Sequence, residues 1–125
     1  MPITYSLSAA ELKLAEIIWA SNPIYVLDLI RIAGEQHGWK RTTIYTMLGR
    51  MSEKGVVVNE RMMVSALITR DEFFAGQSRN FVDDTFGGSL PMFVAAFMGG
   101  RKLSAQQALE LRQLIDEHER GDSDD

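Results

Sequence analysis

Apolar residues recur along the first fifty positions of this chain at intervals of three and four. Leu14, Ile17 and Ile18 form one stripe, broadened by Leu12, Ala15 and Trp19. Val26, Leu29, Ile30 and Ala33 form a second, and Ile44, Met47, Leu48 and Met51 a third. That spacing is the period of an α-helix with one apolar face. Ser8-x-x-Glu11 predicts a capping box for the first helix, and Asn22-Pro23 its end, because the residue before proline avoids the helical region. The second helix is expected to start at Tyr25 or Val26 and stop near His37-Gly38, with Thr42 as N-cap of the third. Helices this short are not stable alone, so they must pack on one another. After Gly55, a suitable C-terminal stop, the period changes. Val56-Val57-Val58, a polar Asn59-Glu60-Arg61 and the run Met62–Ile68 read as a two-stranded hairpin whose turn lacks glycine.

From Thr69 the helical period returns. Thr69 caps a helix carrying Phe73, Phe74, Gln77, Phe81 and Phe86, and Gly87-Gly88 breaks it. Ser89 caps a short helix to Met98, and Gly99-Gly100 breaks again. Ser104-x-x-Gln107 opens a last helix through Leu109, Leu111, Leu114 and Ile115 to about Arg120, followed by a frayed acidic tail from Gly121 to Asp125. The expected fold is mostly α with a small β-hairpin, in two units. Residues 1–68 form a winged helix-turn-helix, and residues 69–125 form a helical region too apolar to close on itself. A second copy of the chain would cover it, and two-fold pairs are the commonest solution.

The other face of the third helix carries the chemistry. Thr42, Tyr45, Thr46 and Gly49 also lie at helical spacing, opposite the apolar stripe. Lys40 and Arg41 stand at its start, and Arg50 and Lys54 along it. Short hydroxyls, one aromatic and flanking cations suit a major groove, where cations meet phosphates and short polar groups reach base edges. Thr43, Tyr45 and Thr46 are the candidates for bases; Arg41, Arg50 and Arg61 are the candidates for phosphates. A solvated helix face is the plainer explanation of any one of these residues. The two preceding helices and the following hairpin favour DNA.

Charge modifies this picture only locally. The net charge is −4, unusual for a nucleic-acid binder. Yet Lys40 to Arg61 hold five cations against two anions, and Leu103 to Asp125 two cations against seven anions. At physiological ionic strength the near charges count for more. With no cysteine in the 125 residues, disulfides, thiolate metal sites and thiol catalysis are excluded. No apolar run approaches the roughly 20 residues of a membrane span, and no signal peptide is evident, so a cytoplasmic protein is expected. His37 and His118 lack partners at metal-ligand spacing, and Asp83-Asp84 and Glu117/Glu119 lack any nucleophile or phosphate loop. Neither an enzyme nor a metal or other cofactor is expected. Trp19 and Trp39 are expected to pack rather than to stack on a ligand.

The order of these parts resembles a known family. Leu7-Ser8, Glu11, Leu14 and Ile17-Ile18-Trp19, then Trp39, Thr43-Ile44-Tyr45-Thr46-Met47-Leu48, Arg50-Met51 and Lys54-Gly55, are similar to the penicillinase-repressor (BlaI/MecI/CopY) family. Phe86-Gly87-Gly88-Ser89, Val94-Ala95-Ala96-Phe97 and the closing Leu-rich helix extend the likeness over nearly the whole chain. The resemblance implies a homodimeric winged-helix repressor that reads a palindromic double-stranded DNA operator through its third helix and pairs through its C-terminal helices. It also implies control by a membrane sensor's protease in many members. The cleaved branch is cut at an Asn-Phe bond, whose nearest counterpart here is Ala96-Phe97. The copper-responsive branch carries a C-terminal Cys cluster, absent here. The family's wing is usually longer, with Gly-Arg and a Tyr. Two alternatives stand beside the repressor: a regulator with a small-molecule effector bound between the C-terminal helices, and a winged helix used as a protein-interaction module.

Overall fold

The computed structural model describes residues 5–123. In chain order it contains α1 (Ala9–Ala20), β1 (Ile24–Tyr25), α2 (Val26–His37), α3 (Arg41–Glu53), β2 (Val57–Glu60), β3 (Met63–Ala66), α4 (Arg70–Phe86), α5 (Leu90–Met98) and α6 (Ala105–Ser123). The fold is mostly α with a small antiparallel sheet, as the periodicity predicts. The three apolar stripes of α1, α2 and α3 meet in one core. Leu14, Ile18, Leu29, Ile44 and Met51 are completely enclosed there, with Val56, Val57 and Val64 from the strands. Removing each such side chain from water is worth about 1.5–3 kcal/mol.

The capping signals of α1, α4 and α6 work as written. The Ser8 hydroxyl accepts from the Glu11 N–H at 3.1 Å, and the Glu11 carboxylate accepts from the Ser8 N–H at 2.8 Å. Thr69 and Glu72 repeat the arrangement on α4, and Ser104 with Gln107 on α6. Gly55, at φ +80°, closes α3: its own N–H donates to Ser52 O, and the Val56 N–H donates to Met51 O. A side chain is disfavoured at that φ.

Three expectations need correction. The sheet has three strands, in the order β1-β3-β2, rather than two. β1 is only Ile24–Tyr25, too short to show an alternation, and it pairs with Val64 and Met63 across a gap of some forty residues. The Val26 N–H at the start of α2 then donates to Met62 O at 2.7 Å, so the hairpin tip is stitched to α2. The N-cap of α3 is Lys40, not Thr42, and no side chain caps that end. The chain had already turned at Gly38, in the left-handed region at φ +69°, leaving two fewer residues of loop than a Thr42 cap needs. Finally, α6 continues to Ser123, past the expected fraying point at Gly121; Asp124 and Asp125 lie outside the described residues.

The C-terminal helices leave this core. Among α4 residues only Phe73 is buried, beside Phe74 and Trp19, whose indole Nε1–H donates to Ile68 O at 3.0 Å. Arg70 bridges back to Glu16 at 2.7 Å, and the Gln77 amide donates to Tyr5 O. Beyond this junction Phe81, Phe86, Phe93 and Phe97 form an edge-on or tilted aromatic ladder joining α4 to α5. No described side chain of α5 or α6 is buried.

Candidate nucleic-acid interface

α3 divides cleanly. Ile44, Met47, Leu48 and Met51 are at most 5% exposed, whereas Arg41, Thr42, Thr43, Tyr45, Thr46, Gly49 and Arg50 are exposed. Seven residues named as sequence candidates therefore sit together: Lys40 at the N-cap and six on the outer face of one helix. Thr42, Thr46 and Gly49 run down the middle of that face, with Tyr45 on one flank and Thr43 and Arg50 on the other. Arg61 belongs to a different element, the β2–β3 turn, where it too is exposed.

Local chemistry sharpens individual roles. The Thr46 hydroxyl donates to Thr42 O at 2.9 Å, so its proton is spent within the helix. What it offers outward is an acceptor lone pair and a methyl group. A Cβ placed on Gly49 would meet nothing within 4 Å, so this position is open and lets another molecule approach the helix backbone. At the N-terminus the first amides of α3 lack a side-chain cap, the helix dipole is positive, and Lys40 and Arg41 add two charges. Cations there gain nothing from the dipole but reinforce its attraction for an anion such as a phosphate.

One residue that bears on this surface escaped the sequence reading, as did the pairing of another. Glu53 is exposed and falls four residues after Gly49 and seven after Thr46, on the midline of the polar face. The helical spacing itself announces it. Lys54, counted above as a free cation, is bound: its Nζ lies 2.7 Å from Glu11 Oε1. Glu11 is 3% exposed, and its second oxygen, Oε2, is buried with no hydrogen-bond partner among the described residues. The signal was again spacing, since Glu11, Leu14, Ala15 and Ile18 make a full i, i+3, i+4, i+7 stripe on α1. Burial pushes the Glu11 carboxyl up. The hydrogen bond from Lys54, those from Ser8 and the Lys54 charge outweigh it and hold the group below the ordinary value.

The hairpin tip is two residues long, since Glu60 pairs with Met63. Arg61 and Met62 both have positive φ, 52° and 68°, as the twist of a tight hairpin requires. The wing is thus short, as the sequence indicates. His37 stacks on Trp39 with centroids 4.4 Å apart, bracing the turn between α2 and α3, and Trp39 also packs against the core.

A compact three-helix unit, a polar-faced third helix, and a hairpin tied to the second helix define a winged helix of the DNA-binding type. Residues 7–117 match the family model of the penicillinase repressors, and the chain belongs to that family. It is 27% identical to the penicillinase repressor of Bacillus licheniformis over 116 residues, covering 90% of this chain and 91% of that one. It is 26% identical to the methicillin resistance regulatory protein MecI of Mammaliicoccus sciuri, over 90% of this chain and 94% of that one. The solution structure of the DNA-binding domain of the repressor BlaI superposes with a TM-score of 0.50 at 28% identity, covering 58% of this chain and 93% of that domain. The family is one of transcriptional repressors, not enzymes. Among the described residues no helix is long and apolar enough to cross a membrane.

Proposed function

We propose that this protein is a cytoplasmic homodimeric repressor that reads a near-palindromic double-stranded DNA operator, each protomer laying α3 in a major groove. The observation that carries this reading is the division of α3, fully buried on one side and presenting hydroxyls, a phenol, a bare glycine and cations on the other. Residues 1–68 form the reading unit and residues 69–125 the pairing unit. Lys40, Arg41, Arg50 and Arg61 contact phosphates. Thr42 sits where α3 meets the duplex, Thr43 and Tyr45 reach bases, and Thr46 accepts from a base amino group or touches a thymine methyl. Glu53, last on the midline, has the cytosine amino group as its natural major-groove partner.

Pairing is supported by Leu90, Met92, Phe97, Leu109, Leu114 and Ile115, all large, apolar and exposed in the single chain. A two-fold pair sets the half-sites about 34–36 Å apart, or a multiple of that distance. The test is selection of bound duplexes from a random pool at near-physiological salt. Enrichment of a palindrome establishes the repressor reading. Failure to enrich any sequence, with a folded dimer in the tube, rejects it in favour of a protein-interaction module.

One observation favours a second layer, an effector site. A groove of about 560 Å³ between α5 and α6 is lined by Phe93, Phe97, Leu103, Leu111 and Leu114, with Gln107 and Glu110 as its polar groups. A small molecule held there would raise the melting temperature with the logarithm of its concentration above its dissociation constant. Control by a sensor protease at Ala96–Phe97 requires unwinding first, because both residues lie inside α5; Gly99 and Gly100 directly after it lower that cost.

A further inference from the structure

Among the described residues Glu11 is the one charged residue in the core, and the DNA contacts proposed above leave it unused. Its position is specific. It belongs to the first turn of α1, and through Lys54 it grips the C-cap of α3. We propose that Glu11, acting through Lys54, is a positioning residue that sets the aim of α3 into the major groove. This rests on the reading of α3 as the DNA-contacting helix.

Three features point this way. First, half of the buried face of α3 is methionine, Met47 and Met51. Methionine fills space but defines orientation poorly, having three rotatable bonds and no branch. A directional contact is needed if the helix is to hold one tilt. Second, the N-terminal end of α3 has no side-chain cap, so its polar side-chain anchor to the rest of the core is at the other end, Lys54 on Glu11 at 2.7 Å. Third, the pair is a poor device for stability alone. Oε2 is buried without a partner among the described residues, and apolar side chains of similar volume commonly replace buried ion pairs without loss. What an ion pair adds, and apolar contact does not, is a fixed direction. Lys54 also has its charge committed to Glu11, so it is not a phosphate contact.

The test uses the full chain carrying Glu11→Met together with Lys54→Met, which removes both charges and leaves the net charge unchanged. Three quantities are read: the melting temperature, the ratio of affinities for the selected palindrome and for random duplex, and the dependence of affinity on salt. The expected result is a melting temperature within a few degrees of wild type and a palindrome-to-random ratio lower by about tenfold or more, with random-duplex affinity and salt dependence unchanged. A variant of normal stability that keeps the wild-type ratio overturns the proposal. So does a salt dependence weakened by about one unit, which would make Lys54 a phosphate contact in its own right. Should the double variant melt below the assay temperature, Glu11→Gln, which keeps the shape, carries the same comparison: a lowered ratio supports the proposal and an unchanged one overturns it. A wild-type chain with no preference for any duplex rejects the DNA reading itself, a separate outcome.

Discussion

At Arg61 and Met62 the backbone adopts a conformation that L side chains disfavour by about 1 kcal/mol each, and glycine does not. Met62 is the easier of the two to relieve, since it is uncharged and 40% exposed. Met62→Gly should raise stability by about 0.5 kcal/mol after the greater freedom of glycine in the unfolded chain is counted, a rise of about 2 °C in melting temperature. An unchanged or lower value would mean that the Met62 side chain holds the tip in place. Glu11 gives a second prediction at this scale. Its carboxyl is held below the ordinary value, so the folded state prefers the charged form. That stabilisation is fully present above about pH 4.5 and is lost as pH falls through the lowered folded value. In acid melts the Glu11→Gln chain should lose less stability than wild type over that interval. Lys54→Met alone, which strands the carboxylate, should cost about 2 kcal/mol. That is less than for a fully buried pair, because the Lys54 side chain is 36% exposed.

Within α3, the same position can be asked two questions with answers of opposite sign. Glycine in a helix interior costs about 1 kcal/mol relative to alanine, and Gly49 has open space where a Cβ would go. Gly49→Ala should therefore stabilise the fold by about 0.5–1 kcal/mol in denaturant melts. If the outer face enters a groove, the added methyl stands between backbone and duplex, and the affinity for the selected palindrome should fall severalfold. A tighter complex would place Gly49 away from the DNA. Arg41, at the uncapped N-terminus, is expected to act on phosphate. Arg41→Ala should weaken binding to every duplex and lower the salt slope by about one unit; retention of the full slope removes it from the contact set.

For the whole molecule, the deciding quantity is the apolar surface of α5 and α6. Leu114 is 51% exposed in the single chain, where a charge in its place would change stability by less than about 0.5 kcal/mol. In a pair built on these helices the same charge would be buried. Leu114→Asp should leave the melting of the N-terminal core intact, convert the sedimenting species to a monomer, and reduce palindrome affinity by about a hundredfold or more, because the second half-site then binds without the benefit of linkage. A dimer that survives Leu114→Asp would place the interface elsewhere.

Every helix was legible in the chain itself, because helical information is local. A stripe at i, i+3, i+4, i+7, a hydroxyl at the N-cap and a glycine after the last turn lie within a few residues of one another, as at Ser8–Glu11 and Gly55. The polar face of α3 was legible for the same reason, Glu53 included, although that residue was overlooked. What the chain did not disclose was long-range. β1 is two residues long and exists because Met63 and Val64 supply its partners. Lys54 is a free cation in any local view, and becomes a fixed one because the core carries Glu11 to within hydrogen-bonding distance. Pattern along the chain determined which face of each helix is apolar. Only the packing of those faces decided which charges remain available to a partner, since burial and pairing depend on residues forty positions away.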